Sequence, residues 1–130
     1  MTLSELQIEV GKWAQKNFPK ALPHQPLLGA VEELGELSHS HLKMEQGIRA
    51  SWDEHFDGKC DAIGDVVIFL AHYCCLNNIL LQGVVDTTWA KVKQRDWVGN
   101  PMDGGEHKAQ DVPSHHAVNV FDKEDSNECA

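Results

Sequence analysis

Between Ala62 and Ala71 every residue is apolar except Gly64 and Asp65. A helix that is apolar on nearly every side is a buried helix. The stretch therefore predicts a central helix with a carboxylate, Asp65, in its middle. A lone carboxylate in an apolar interior is costly unless a cation, a donor network or a proton compensates it. Asp61 stands one turn earlier and about 40° away on the helix surface. Two acids thus share one stripe, followed on the same face by Ile68 and His72. The run is too short and too interrupted to cross a bilayer.

Around this centre the periodicity predicts four helices and no strand of useful length. The first runs from Leu3 to Phe18, with Thr2 and Glu5 as a capping box and Pro19 and Pro23 as stops. Its apolar stripe is Leu3, Leu6, Val10, Trp13 and Ala14. The second starts near Pro26 and ends at Gly47. Its stripe of Leu27, Val31, Leu34, Leu37, Leu42 and Met44 is expected to face the core. After a loop at 47–51, Ser51 and Glu54 form a second capping box, and the third helix continues to Leu76. The fourth covers Leu80 to Trp97, with Leu81, Val84, Val85, Trp89 and Val92 as its buried side. Four helices with short connections predict an all-α, four-helix bundle-like domain over 1–102. Residues 103–130 hold seven acids and two lysines without periodicity, and read as an acidic, flexible tail.

The net charge of −9 argues against nucleic acid as a partner, because phosphate neutralisation needs a basic surface. A phosphorylated small molecule remains compatible if a divalent cation reverses the local sign. The four cysteines, Cys60, Cys74, Cys75 and Cys129, form no CxxC pair, which gives a zinc ribbon little support. Cys74 and Cys75 read as buried thiols. A cytoplasmic location and no membrane partner are expected.

The second helix carries Glu32-Glu33-Leu34-Gly35-Glu36. Glu33 and Glu36 lie about 60° apart on the helix surface, and Glu33 borders the apolar stripe. If the second and third helices pack together, Glu33, Glu36, Asp61 and Asp65 converge. Four clustered carboxylates raise one another's pKa. A hard divalent cation relieves them, and all-oxygen ligation favours Mg²⁺ or Mn²⁺. Glu36 and His39 also form an ExxH pair of the di-iron type. No histidine follows Asp65 at the required spacing, so iron is disfavoured. Lys91 and Arg95, four apart on the fourth helix, are candidates to hold phosphate oxygens and stabilise the leaving group, and Lys43 is another. Of the tryptophans, Trp13 and Trp89 are assigned to the core. Trp52 is the candidate for stacking on a base.

EELGEL on one helix and DAIGD on a later one together resemble the MazG-like nucleotide pyrophosphohydrolases of the all-α NTP pyrophosphatase superfamily. ELSHSHLKMEQGIR and WAKVKQRDW extend the similarity to about 6–101. The resemblance implies a helical bundle that forms a homodimer or homotetramer and binds Mg²⁺ through ExxE and ExxD motifs. It further implies cleavage of a nucleoside or deoxynucleoside triphosphate to the monophosphate and pyrophosphate. Glu33 and Glu36 match ExxE, and Asp65 matches the aspartate of ExxD. The glutamate of ExxD is replaced by Ala62, with Asp61 next to it as the substitute. That departure keeps open a different class of function, a helical dimer that binds nucleotide or a protein partner without turnover.

Overall fold

The computed structural model of the chain describes residues 1–105. All regular structure among them is helical: α1 (Leu3–Asn17), α2 (His24–Gln46), α3 (Trp52–Leu76) and α4 (Leu81–Val92). Both capping boxes form. Thr2 accepts from the Glu5 amide while the Glu5 carboxylate accepts from the Thr2 amide, and Ser51 and Glu54 repeat the arrangement on α3. These hydrogen bonds to the ionised acid hold the Glu5 and Glu54 carboxyls below the usual carboxylate range. Gly47 ends α2 at φ +66°, a left-handed cap that costs glycine nothing. The short loop before α3 is pinned by His55, whose Nε2 lies 2.9 Å from the Ile48 carbonyl.

α2 and α3 form a long antiparallel pair, α1 packs on α3, and α4 rests mainly on α1. Two close approaches fix the register of the pair. A Cβ on Gly29 would strike the Phe69 ring, and a Cβ on Gly58 would come within 3.0 Å of Ser40 Oγ. Four residues forward from Gly29 and four back from Phe69 bring Glu33 level with Asp65. Seven more in each direction bring Ser40 level with Gly58. By the same register Glu36 is level with Ala62.

Apart from Gly29 and Lys43, the shielded residues of α2 recur as Pro26, Ala30, Glu33, Leu37, Ser40 and Met44, the alternating three-and-four spacing of a helix–helix seam. The apolar stripe expected to face the core is therefore only partly correct. Leu37 and Met44 join the seam, but Leu27, Val31, Leu34 and Leu42 are turned outward, with Val31 58% exposed. Small residues at the crossing let α3 come close, and the bulky leucines are left on a flank. On α3, Ala62 and Ala71 are buried, whereas Ile63, Ile68 and Leu70 are exposed. The helix is thus not buried on all sides within one chain, as the sequence had suggested.

α4 corrects the bundle further. It leaves α3 at a bend of 111° instead of folding back alongside it, and it stops at Val92, short of Trp97. Beyond it Asp96 takes over the backbone donors: its Oδ1 accepts from the Val98 and Gly99 amides at 3.2 and 2.9 Å. Such side-chain bonds compete with helix continuation. Val85 and Trp89 are 42% and 59% exposed, so they are not core. Trp13, at 55%, is not core either. The hydrophobic core proper is a small cluster of Val10, Ala71, Cys74 and Leu81, with Leu3, Leu6 and Ile79 against it. Cys74 and Cys75 are buried thiols as expected. The acidic tail expected over 103–130 falls, from 106 on, outside the described residues, while the Gly104 amide closes a turn onto the Asn100 carbonyl at 2.8 Å. No single helix among the described residues is long and apolar enough to cross a membrane.

A buried side-chain latch joins α1 to the start of α4. Gln7 is 3% exposed. It donates to the Ile79 carbonyl at 2.7 Å and accepts from the Leu81 amide at 2.9 Å. The latter bond satisfies a helix N-terminus whose own N-cap residue, Leu80, offers no side-chain acceptor. Gln7→Leu keeps the volume and orphans both backbone groups. It should cost about 1–3 kcal/mol for each group left dry, read as a lower urea midpoint at unchanged slope.

Candidate functional site

The α2–α3 seam separates two unlike flanks. On α2, measured from the seam direction, Glu33, Glu36 and Glu32 fall at about −20°, −80° and −120°. On α3, Asp65, His72, Asp61 and Ile68 fall between about −60° and −120°. In an antiparallel pair, rotations of the same sense from the seam meet on the same side. All four predicted carboxylates therefore gather on one flank. Leu34, Leu27 and Val31, with Leu70, Ile63 and Phe56, lie at about +80° to +140° and share the opposite flank.

Glu33 occupies a seam position that packing alone would give to an apolar residue. Its carboxyl is held above the usual carboxylate range, first by desolvation and then by the charges of Glu36, Asp65, Glu32 and Asp61. Asp65 is half-buried rather than buried, and it makes no ion pair among the described residues. Neither Lys91 nor Arg95 forms a salt bridge with it. Ala62 is 2% exposed and points into the seam, where a glutamate would bury its charge. Asp61, one residue earlier, projects to the acidic flank and adds to the field on Glu33.

No three carboxylate, histidine or cysteine side chains among the described residues converge tightly enough to hold an ion unaided. Magnesium does not require this. It binds through one or two carboxylates, keeps several waters and completes its shell with substrate phosphates. The mutual repulsion around Glu33 and the all-oxygen donor set fit that cation.

Glu33 and Asp65 open onto a cavity of about 700 Å³, within the usual range for small-molecule sites. Its far wall is α1 and the α1–α2 connection, with Trp13, Phe18 and Lys20, and its floor includes Phe69 and His72. The other sequence candidates lie elsewhere. Trp52 stacks on Phe56 with ring centroids 5.2 Å apart, on the flank opposite the acids and about 13 Å along α3 from Asp61. Lys43 is on the acidic side but donates to Gln46 Oε1 at 3.0 Å. Lys91 lies in the last turn of α4, and Arg95 lies beyond the helix, so the two do not share a helical face. None of these four lines the cavity. Trp13, assigned to the core from its place in an apolar stripe, and Lys20 and His72, not singled out as site residues, are the ones that do. The double proline around the α1–α2 connection, which folds Phe18 and Lys20 back toward α3, was the available signal.

The electrostatics make a stability prediction. A carboxyl whose folded pKa is raised adds stability below its unfolded value near 4.5 and loses it as pH rises through the folded value. Metal-free protein therefore carries more of the repulsion at neutral pH than in acid. Glu33→Gln should melt at or above the wild-type temperature at pH 7 without Mg²⁺, the gain shrinking toward pH 4. Mg²⁺ should raise the melting temperature of the wild type but not of the variant, and less so at lower pH, because binding displaces the proton.

Comparison of the chain with protein-family models, with curated proteins and with solved structures finds no match.

Proposed function

We propose that the protein hydrolyses a nucleoside or deoxynucleoside triphosphate to the monophosphate and pyrophosphate with the help of Mg²⁺ or Mn²⁺. The observation that carries this reading is Glu33, a glutamate set in a helix seam level with Asp65, both opening onto one cavity. The resemblance of EELGEL and DAIGD to the MazG-like enzymes supports it, as does the gathering of four acids on one flank.

Glu33, Glu36, Asp61 and Asp65 are the residues to hold the metal. A cation held there would supply charge neutralisation and lower the pKa of a bound water. The water oxygen bonds to phosphorus as the anhydride bond between the α- and β-phosphates breaks. The proton of the water passes to a carboxylate of the ExxE pair, and pyrophosphate leaves. Lys20 at the cavity wall is the nearest candidate cation for the phosphates. Lys91, Arg95 and Lys43 serve this role only if a second chain brings them to the site.

Self-association belongs to the same reading. Leu27, Val31, Leu34, Phe56, Ile63 and Leu70 are 42%, 58%, 50%, 43%, 53% and 38% exposed, and lie on one side of the α2–α3 pair. An apolar patch of this kind marks an interaction surface, and a second copy offering the same stripe completes a four-helix layer across a two-fold axis. The homodimer, or a tetramer built from it, then supplies the core that one chain lacks. A second reading, a helical dimer that binds nucleotide without turnover, is favoured by Ala62 in place of the usual glutamate.

Three outcomes are expected. Purified protein with Mg²⁺ and a panel of NTPs and dNTPs releases monophosphate and pyrophosphate, without orthophosphate, on product chromatography. Tight binding by calorimetry with no product would select the second reading. Asp65→Asn and Glu36→Gln lower kcat by about 100-fold or more, the scale of losing a transition-state group, and full activity in either removes the assignment. The double variant Val31→Glu/Ile63→Glu shifts the protein to a smaller species by light scattering, and an unchanged mass contradicts the interface.

A further inference from the structure

α4 leaves one face uncovered. Leu81 and Thr87 are buried and mark the side that meets the rest of the fold. On the other side Val85, Thr88, Trp89 and Val92 recur at three-and-four spacing and, with Val84, line a groove of about 320 Å³. Trp89 is 59% exposed and Val85 42%. The groove is small for a ligand site, and Thr88 is the polar side chain in its lining. It suits a few apolar side chains better than a polar metabolite.

Charge along α4 is polarised. Asp86, the acid of the helix, lies toward its start and accepts from Gln82 at 3.0 Å. Lys91 stands in the last turn and Lys93 at the cap, and neither makes an ion pair among the described residues. The chain then turns back. The Asp96 amide donates to the Gly104 carbonyl at 2.9 Å, so Gly105, the last described residue, lies close to the turn that follows α4.

The sequence beyond Gly105 matches both features of the helix. The most apolar stretch of 106–130 is Ala117-Val118-Asn119-Val120-Phe121, and Asp122 to Glu128 follows it with four acids and one lysine. Apolar first and charged second is also the order in which α4 presents its groove and its lysines. Eleven residues, 106–116, connect Gly105 to Ala117. They span at most about 40 Å, against about 12 Å of helix from Val84 to Val92.

We infer that residues 117–121 dock in the α4 groove of their own chain, parallel to the helix, with Val118, Val120 and Phe121 covering Trp89 and the acids of 122–128 beside Lys91 and Lys93. Apolar burial supplies the hold. Exposed ion pairs are worth little and serve to fix the direction. The short connection gives the chain's own segment a high effective concentration, above that of a second copy's segment in dilute solution. The surface is separate from the α2–α3 flank, and the inference does not depend on the nucleotide reading.

Zero-length carbodiimide coupling joins a lysine amine to a carboxylate only in contact. Applied to an equal mixture of light and heavy-nitrogen full-length protein and mapped by mass spectrometry, it should link Lys91 or Lys93 to a carboxylate between 122 and 128, with both halves of each link from one isotope. The double variant Val120→Asp/Phe121→Asp alters none of the described residues and should abolish these links. In hydrogen exchange, the amides of 117–121 should exchange at least about tenfold more slowly in the wild type than in Val85→Asp. Links of mixed isotope would assign the groove to a second copy's segment and overturn the inference. So would the absence of links to Lys91 and Lys93, links that survive Val120→Asp/Phe121→Asp, or wild-type exchange at unprotected rates over 117–121.

Discussion

The structure turns on how a glutamate comes to sit in a helix seam. Two amphipathic helices that cross tightly normally bury an apolar residue at each step of the three-and-four repeat. α2 follows that repeat from Pro26 to Met44, with the small Ser40 at one step and a charged residue, Glu33, at another. α3 answers at the same level with Asp65 instead of a cation. Both carboxylates are partly withdrawn from water, neither has an ion-pair partner among the described residues, and three more acids raise the Glu33 carboxyl. Folding alone gains nothing from this arrangement. Sites that violate packing logic in this way are where function is sought.

The small residues around the seam are the counterpart of the acids. Gly29 lets the Phe69 ring lie against the α2 backbone, and Gly58 admits Ser40. The close approach brings Glu33 and Asp65 to one level and also forms the cavity floor, since Phe69 and His72 follow Asp65 along the same face of α3. A bulkier pair of helices would have buried Leu27, Val31 and Leu34 and separated the acids. The outward leucines and the inward carboxylates are thus two consequences of one packing choice. The choice leaves an apolar flank exposed beside a small core of Val10, Ala71, Cys74 and Leu81.

Much of this was legible in the sequence, and what was not has physical causes. Capping boxes are local, so Thr2–Glu5 and Ser51–Glu54 fix two helix starts from four residues each. The grouping of Glu33, Glu36, Asp61 and Asp65 follows from helical phase once two helices are allowed to touch, and the structure places the four on one flank. Phase does not say which apolar face of a helix meets its neighbour within the chain and which is left outward. That is why Trp13, Trp89, Val31 and Leu34 were assigned to a core they do not enter. The end of α4 was misplaced because Gln94 and Arg95 close tighter turns onto Lys91 and Val92 and the Asp96 amide donates to the Gly104 carbonyl, a departure the apolar spacing up to Trp97 conceals. The cavity was not foreseen because it lies between non-adjacent elements: Trp13 and Phe18 from one side, His72 from another.

Ala62 shows how far sequence similarity carries by itself. Read as a motif, it is a missing glutamate. In the fold it is a seam residue level with Glu36, almost without exposure, where a longer charged side chain would be buried and would push α2 and α3 apart. Asp61 stands on the open flank, reaches the same field, and needs no room in the seam. Asp61 thus places an acid in a direction that solvent controls, beside a position that packing controls, and its charge joins those of Glu36, Asp65 and Glu32 on Glu33. A short acid on the open side keeps its charge in solvent and leaves the seam to small side chains, so the field on Glu33 is built without burying another carboxylate.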